Sequence, residues 1–343
     1  MHHPERCTFC GKCLSGCRFV GISPKDAPAE VKRLAAGEAP EWLAKCVTCF
    51  ACEERCPENA GPFFRLAQRM EESGRYFSPE MTDAMHAHFA VKGEFVPPKV
   101  SGRAASLCTI YSFLPPETFS GRLWDGVPLL KGRFFFCHIV YLHMGNLRHT
   151  VDEMPRTIER LAATGASEIV FVHEDCWAMI CEAKERGIPV PFKPVHLYEH
   201  LWEKLNENRD AIRPLNIALA FQRPCAARFA PEKDALLDEI FRMMGVTRVE
   251  RQFDRENAVC CGENPGGALD PRKVLAGEHR AANIADAKAH GATGMAFLCP
   301  VCVSAMGKET AEAGLSPIFI VDLCRMALGE IPAPAANQGP GAP

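Results

Sequence analysis

Short apolar runs alternate with amphipathic segments along the chain after residue 102. The apolar runs predict β-strands at residues 133–142, 168–173, 189–197, 215–221 and 295–300. Between them, apolar residues spaced three and four apart predict helices at residues 151–166, 231–245 and 279–292. Strand–helix alternation of this kind is typical of an α/β fold with parallel sheets.

The first 95 residues follow a different, mainly helical pattern. Helices are predicted at residues 29–39, 63–75 and 78–93, the last with Ser78 as its N-cap and Pro79 in its first turn. Residues 94–102 break the pattern and predict a linker. These changes, together with the cysteine patterns described below, predict segments at residues 1–95, 96–212, 213–330 and 331–343. The last segment is a Pro/Gly/Ala-rich tail that is predicted to be disordered.

Eight of the 18 cysteines lie in the first 56 residues, in two runs with the spacing C-x2-C-x2-C-x3-C. The runs are Cys7, Cys10, Cys13 and Cys17, then Cys46, Cys49, Cys52 and Cys56. In ferredoxins with this spacing the fourth cysteine of each run binds the cluster of the other run. The spacing therefore predicts a dicluster domain, with one cubane 4Fe–4S cluster on Cys7, Cys10, Cys13 and Cys56 and another on Cys46, Cys49, Cys52 and Cys17. Arg18 stands where such a run ordinarily has proline.

Structural zinc and disulfides account less well for these runs. Structural zinc uses separated cysteine pairs, and disulfides need an oxidising compartment that nothing in the sequence indicates. The start of the chain resembles no signal peptide, and the apolar runs are too short to span a bilayer. The net charge of −3, without a Lys/Arg-rich run, gives no indication of nucleic-acid binding. The predicted location is cytoplasmic, either free or on the inner face of the membrane through a partner.

Five further cysteines form a second pattern in the last third of the chain: Cys225, Cys260, Cys261, Cys299 and Cys302. Cys260 and Cys261 are adjacent and precede Gly262, and the last two cysteines form a C-x2-C pair. The arrangement resembles the cysteine-rich CCG domain of the heterodisulfide reductase catalytic-subunit family. The resemblance implies a noncubane 4Fe–4S cluster on these five cysteines, here called the quintet. Zinc on four of them is an alternative that leaves Cys225 unexplained.

The residues before the quintet contain a degenerate copy of the same unit. Cys137 and Cys176 are 39 residues apart, as are Cys260 and Cys299. Aligning these pairs places His138 on Cys261 and Met179 on Cys302, with Cys108 as the counterpart of Cys225. Thioether sulfur is a poor ligand for ferric iron, whereas imidazole is a common one. Two interpretations stay open: a second metal site, or buried cysteines in a scaffold lobe.

The resemblance implies a thiol/disulfide oxidoreductase subunit in which two cubane clusters pass electrons to a noncubane cluster that reduces a disulfide or oxidises thiols. The alternative is an electron-transfer subunit of a flavin-dependent or quinone-linked respiratory complex, with no substrate chemistry of its own. Partners would be a flavin subunit or a quinol-linked membrane subunit, because the chain has no G-x-G-x-x-G motif in a strand–turn–helix context. A third interpretation is a scaffold whose quintet holds zinc.

Several other residues lie near the quintet in sequence. Candidates for lining a substrate pocket are Arg223, Glu263, Asn264 and Gly266. Arginine suits an anionic substrate group. Glycines that allow close backbone approach to a cluster are Gly262, Gly266 and Gly267. Residues predicted to be structural, because their spacing matches no ligand or metal pattern, are His143, His173, His196, His200, Cys181 and Cys324.

Overall fold

Helices and loops build the first part of the molecule, as predicted. The structure is a computed structural model that describes residues 3–74, 77–263 and 271–333. The helices are α1 (Lys12–Ser15), α2 (Ala27–Ala35), α3 (Ala51–Glu54), α4 (Pro62–Ser73) and α5 (Pro79–Phe89). The Ser78 hydroxyl accepts a hydrogen bond from the Met81 N–H, which confirms the predicted N-cap of α5. Asn264, Gly266, Gly267 and tail residues 334–343 lie outside the described residues.

Two four-stranded parallel sheets follow, with the same strand order. The strands are β1 (Arg103–Cys108), β2 (Leu129–Lys131), β3 (Glu168–Phe171), β4 (Lys193–His196), β5 (Ile217–Gln222), β6 (Val246–Arg248), β7 (Gly294–Phe297) and β8 (Ser316–Phe319). The orders are β2-β1-β3-β4 and β6-β5-β7-β8, and every strand pair is parallel. The predicted α/β class is confirmed. We call the unit around the first sheet lobe 1 and that around the second sheet lobe 2.

Helices connect the strands of each lobe. Those of lobe 1 are α6 (Ile139–His143), α7 (Leu147–Ala162), α8 (Glu174–Glu185) and α9 (Leu197–Glu207). Those of lobe 2 are α10 (Asp234–Met243), α11 (Pro271–Ala289), α12 (Pro300–Glu312) and α13 (Ile320–Ala327). The strand predicted at residues 133–142 is wrong, because this run forms a 3-10 turn followed by α6. A short apolar run that is buried on all sides has no periodicity to distinguish strand from helix.

The dicluster module, residues 3–74, packs against the carboxyl-end loops of both lobes. Phe50 of the module lies 5.0 Å from Phe229 of lobe 2 and 4.5 Å from His143 of lobe 1, between ring centroids. Glu54 accepts hydrogen bonds from Arg223 and Arg228 of lobe 2, whose side chains are almost fully buried. These contacts hold the ferredoxin-type loops against the carboxyl-end edge of the sheets, where the quintet lies.

Candidate metal centres

The two cysteine loops of the dicluster module have matching backbone conformations. Phe9 and Gly11 of the first loop have positive φ angles of 57° and 76°, and Thr48 and Phe50 of the second have 53° and 57°. Left-handed conformations at alternate residues curl each loop tightly, at an energetic cost for the non-glycine residues. The repeated backbone gives both loops the same arrangement of cysteines.

The first group of four cysteines surrounds one cavity. Its lining includes Cys7, Cys10, Cys13 and Cys56, so the last cysteine of the second run joins the first three of the first run. Burial raises the pKa of the Cys13 thiol to about 12, and the nearby charges of Cys56, Cys7 and Cys10 add to this shift. Four thiolates around a cavity fit the donor set of a cubane cluster, whose bound iron would offset their mutual repulsion.

The second group joins Cys17 to Cys46, Cys49 and Cys52. Burial raises the pKa of the Cys46 thiol, and the charge of Cys17 is the next contribution. Burial also raises the pKa of Cys49 to about 11, again followed by Cys17. The structure thus brings both groups together in the crossed arrangement that the run spacing predicts. The N–H groups of Thr48 and Ala60 donate to the sulfur atoms of Cys46 and Cys56, at 3.4 and 3.3 Å.

The quintet converges at the carboxyl ends of β5, β6 and β7. Cys225 begins a 3-10 turn after β5, and Cys260 and Cys261 lie in the loop that follows β6. Cys299 is the N-cap of α12, and Cys302 lies in the first turn of that helix. Neighbouring parallel strands bring their carboxyl-end loops together, which explains why residues so distant in sequence meet.

The quintet thiols form one chain of sulfur contacts. Side-chain interactions that shift the thiol pKa values run from Cys225 to Cys260, from Cys260 to Cys261, from Cys261 to Cys302 and from Cys302 to Cys299. The Sγ atoms of Cys302 and Cys261 are 3.4 Å apart, and all five side chains are buried. The interaction with Cys302 lowers the pKa of Cys299 to about 6 despite burial. The structure therefore places all five predicted residues in one buried sulfur-rich group.

Gly262 is required by helix packing as well as by its backbone angle. Its φ is +69°, and a Cβ atom there would lie 2.0 Å from the Cβ of Ala276 in α11. Any side chain would push the Cys260–Cys261 loop away from α11. Sequence reasoning attributed this glycine to close approach of a cluster, whereas the described contact is with a helix.

Lobe 1 supplies three polar side chains to the quintet that the sequence did not reveal. His173 Nε2 lies 3.3 Å from Cys299 Sγ, and His143 Nε2 lies 3.8 Å from Cys225 Sγ. Asp175 lies between the histidines, 3.8 Å from His143 Nε2 and 3.9 Å from His173 Nδ1. Sequence reasoning treated both histidines as structural, because their contacts arise only when the lobes pack together.

Electrostatics in this group favour charged histidines. Burial alone would lower both histidine pKa values. The charges of Asp175 and Cys299 instead raise the pKa of His173 to about 10. The charges of Cys225 and Asp175 raise the pKa of His143 to about 10. In contrast, His196 faces Glu174 and His200 binds the Leu123 carbonyl, away from the quintet.

Lobe 1 also has its own group of three cysteines. The Sγ atoms of Cys108, Cys137 and Cys176 lie within 4.8 Å of one another, and all three side chains are buried. Cys108 ends β1, Cys137 follows β2 and Cys176 lies in the first turn of α8, so they come from strand ends equivalent to those of the quintet. We call this group the lobe 1 trio.

The structure aligns the sequences of the two lobes differently from the predicted alignment. His173 is the N-cap of α8 as Cys299 is the N-cap of α12, and Cys176 and Cys302 are each the third residue of their helix. Cys176 therefore matches Cys302, not Cys299, and Met179 matches Ala305. The predicted alignment paired cysteine with cysteine, whereas the helix starts show that a histidine replaces Cys299.

The remaining candidate residues lie as follows. Arg223 is buried, donates to Glu54 and the Arg255 carbonyl, and lies 3.5 Å from Asp234, so its described contacts are within the protein. Glu263 pairs with Lys273 at 3.0 Å. Cys324 is fully buried in α13, and Cys181 is partly exposed on α8.

Comparisons with known proteins agree with this architecture. A family model described as a 4Fe-4S dicluster domain matches residues 6–60. The chain is therefore an iron–sulfur protein with two 4Fe–4S clusters in a dicluster domain, of the kind that transfers electrons. No curated protein sequence matches the chain. Within the described residues, no helix has the length and apolar character needed to cross a membrane.

A solved structure shares the fold. It is the crystal structure of a hypothetical protein from Helicobacter pylori, with a TM-score of 0.60 and 15% sequence identity. The similarity covers 90% of this chain but 66% of that protein, so this chain spans just under two thirds of its length. At this identity the similarity shows a common fold alone.

Proposed function

We propose that the chain is an iron–sulfur oxidoreductase subunit of heterodisulfide reductase type. The reaction would convert one disulfide, two electrons and two protons into two thiols, or run in the opposite direction. The observation that carries this proposal is the convergence of the five quintet thiols beside the second cysteine loop of the dicluster module. The spacing of the quintet, which resembles that of CCG domains, supports it.

The donor set favours a noncubane 4Fe–4S cluster over zinc. A tetrahedral zinc ion takes four ligands and would leave one quintet thiol unused in a buried site. Five thiolates in a continuous chain of contacts suit a centre with several irons. When bound, the cubane clusters supply single electrons, and the noncubane cluster supplies a centre at which a sulfur–sulfur bond is cleaved.

We assign the ligands by the groups described above. Cys7, Cys10, Cys13 and Cys56 hold one cubane cluster, and Cys17, Cys46, Cys49 and Cys52 hold the other. The quintet holds the noncubane cluster. A cytoplasmic location belongs to the same proposal, because thiolate ligands persist in a reducing compartment.

His143 links the second cysteine loop of the dicluster module to the quintet. Its Nδ1 lies 3.1 Å from the carbonyl oxygen of Thr48, to which it donates, and its Nε2 faces Cys225. Thr48 lies between Cys46 and Cys49, so a single imidazole spans the distance between the two sulfur groups. The charge of Cys225 acts on Cys49, which is a second sign that the groups are close. In this proposal His143 fixes the relative position of the two groups.

Metal analysis tests the proposal directly. Anaerobically purified protein should contain about twelve irons per chain, and Cys261→Ser should lower this to about eight. Cys324→Ser is the matched control and should leave the iron content unchanged. Adding a thiol under oxidising conditions should produce a paramagnetic signal in the wild type but not in Cys261→Ser. An iron content of eight in the wild type, with zinc that Cys261→Ser removes, would contradict the proposal.

A pure electron-transfer subunit is the second candidate, and the burial of the quintet favours it. The five cysteines are 2–9% exposed, so a disulfide has little access to their sulfur atoms in the described structure. The partner would then be a flavin subunit or a quinol-linked membrane subunit. Twelve irons with no spectral response to thiols or disulfides would select this candidate.

A further inference from the structure

We propose that His143 conducts electrons between the second cysteine loop of the dicluster module and the quintet. Its two ring nitrogens face the two sulfur groups, one through the backbone of Thr48 and the other directly at Cys225. The inference rests on the proposed function, because it concerns the path by which electrons would reach the quintet. It gives His143 a part in electron transfer in addition to the positioning role described above.

Three hydrogen-bonding contacts join the two sulfur groups. The Thr48 N–H donates to Cys46 Sγ at 3.4 Å. His143 Nδ1 donates to the Thr48 carbonyl oxygen at 3.1 Å, and His143 Nε2 lies 3.8 Å from Cys225 Sγ. The route from sulfur to sulfur therefore crosses the backbone of one residue and one imidazole ring. Electrons tunnel faster along covalent bonds and hydrogen bonds than across open gaps of the same length, so this route favours transfer.

The backbone of Thr48 has the conformation that this route requires. Its φ angle is 53°, in the left-handed region that non-glycine residues rarely adopt. The Thr48 N–H points back to Cys46 while the carbonyl oxygen of the same residue points to His143. The Thr48 hydroxyl donates to the Val47 carbonyl oxygen and lies 3.1 Å from His143 Nδ1. Two oxygen atoms of one residue therefore hold this end of the imidazole.

The whole route is buried. Thr48 and His143 are 0% and 1% exposed, and Cys46 and Cys225 are 8% and 9% exposed. Phe50 packs against the imidazole, with ring centroids 4.5 Å apart. Side chains in a close-packed interior keep fixed positions, so both nitrogens keep their contacts at the same time.

The first cysteine loop differs from the second in its surroundings. Phe9 lies two residues after Cys7, as Thr48 lies two residues after Cys46, and it has the same left-handed backbone. Cys10, which follows Phe9, is exposed, whereas Cys46 is buried. The group that contains Cys46 is therefore the inner one. An external one-electron donor has its access at the outer group.

The proposed step is a one-electron transfer. His143 passes one electron from the reduced inner centre, which is thereby oxidised, to the quintet's centre, which is thereby reduced. No bond forms or breaks at the imidazole, and no proton is consumed in this step. Two such transfers supply the two electrons that the reduction of one disulfide requires.

Phe50 and Phe229 form a rival path across the same interface. Phe50 follows Cys49, and its ring centroid lies 5.0 Å from that of Phe229, four residues after Cys225. This path ends on a side chain that is separated from the quintet by several backbone bonds, whereas the His143 path ends at a quintet sulfur. Phe229→Leu is therefore the matched control, because it alters the interface without removing a contact of His143.

Flash reduction of the anaerobically purified full chain tests the proposal. A thiol under oxidising conditions first brings the quintet's centre to its paramagnetic state, and a photoreductant then supplies electrons to the cubane clusters. The decay of the paramagnetic signal measures the transfer. We expect a decay several-fold slower in His143→Phe than in the wild type, and an unchanged decay in Phe229→Leu. The iron content should stay at about twelve per chain in all three proteins.

Two further measurements separate conduction from a structural role. The spin–spin interaction between the two centres reports their distance, which should be the same in His143→Phe and the wild type. Redox titration of both centres gives the driving force, and the decay should be slower than the change in driving force accounts for. A longer distance, or a change in driving force that explains the slower decay, would overturn the inference.

The remaining outcomes distinguish the route from the function on which it rests. Equal decay rates in the wild type and His143→Phe, or an equally slow decay in Phe229→Leu, would overturn the route alone. About eight irons in the wild type would overturn the proposed function and the route with it. Should His143→Phe lose iron, His143→Gln replaces it, and its single amide cannot make both contacts of the imidazole. Its decay should again be slower than that of the wild type, and an unchanged decay would exclude the route.

Discussion

Lobe 1 and lobe 2 place cysteines at equivalent strand ends of their two sheets, yet they present different sets of side chains there. Lobe 2 gathers five thiols, whereas lobe 1 gathers three and has His173 where lobe 2 has Cys299. These two N-cap residues contact each other across the lobe boundary at 3.3 Å. Two copies of one fold can therefore share strand-end positions for cysteines, while a side chain of one copy contacts the cysteine group of the other.

The exchange of a thiol for an imidazole at one helix N-cap is the sharpest difference between the lobes. Cys299→His makes lobe 2 resemble lobe 1 and should abolish the proposed noncubane centre, lowering the iron content from about twelve to about eight per chain. Iron and sulfide analysis measures this loss. Cys181→Ser should leave both contents unchanged. Twelve irons in Cys299→His would show that the quintet does not hold iron through this residue.

The module's attachment to lobe 2 gives the second-largest expected effect. Glu54→Gln removes the carboxylate that pairs with Arg223 and Arg228, leaving Asp234 beside Arg223. Breaking a buried ion pair on one side costs about 3 kcal/mol, because the remaining charges stay buried. We expect a lower denaturant midpoint and faster hydrogen exchange in α3. Glu38→Gln, which breaks an exposed pair with Arg33, should change neither by more than about 0.5 kcal/mol.

The cysteine patterns were readable in the sequence because ligand spacing within a loop is local. The crossed groups follow from run spacing, whereas the quintet, which spans residues 225–302, was predicted from its resemblance to CCG domains. The roles of His143, His173 and Asp175 were not readable, because lobe packing creates their contacts. Strand β1 was missed, since its sequence RAASLC has low β-propensity although its side chains are buried.

The contact of His173 of lobe 1 with Cys299 of lobe 2 predicts that a change at His173 alters the redox potential of the quintet's centre. His173→Gln removes the positive charge beside Cys299. That charge favours the reduced state of a thiolate-bound centre, because the reduced state is the more negative one. The potential of the proposed noncubane centre should fall by tens of millivolts, since hydrogen bonds and charges near sulfur tune such potentials. Redox titration monitored by electron paramagnetic resonance measures the shift. His196→Gln, which is remote from the quintet, is the control, and equal shifts in both variants would exclude a specific role for His173.

Substitution of a cysteine outside the cysteine groups should have the smallest effect on stability and metal content. Such a substitution tests whether burial alone makes a cysteine part of a metal site. Cys324 is fully buried in α13, and burial raises the pKa of its thiol, as it does in the ligand groups. It differs from them in being remote from other thiols, since its raised pKa arises from burial and Asp322. Cys324→Ala should lower the free energy of unfolding by about 1 kcal/mol through lost packing and leave the iron content unchanged. Because Cys302 and Cys324 are both buried, loss of iron from Cys302→Ser but not from Cys324→Ala would show that convergence of thiols, and not burial, distinguishes the quintet from an ordinary core cysteine.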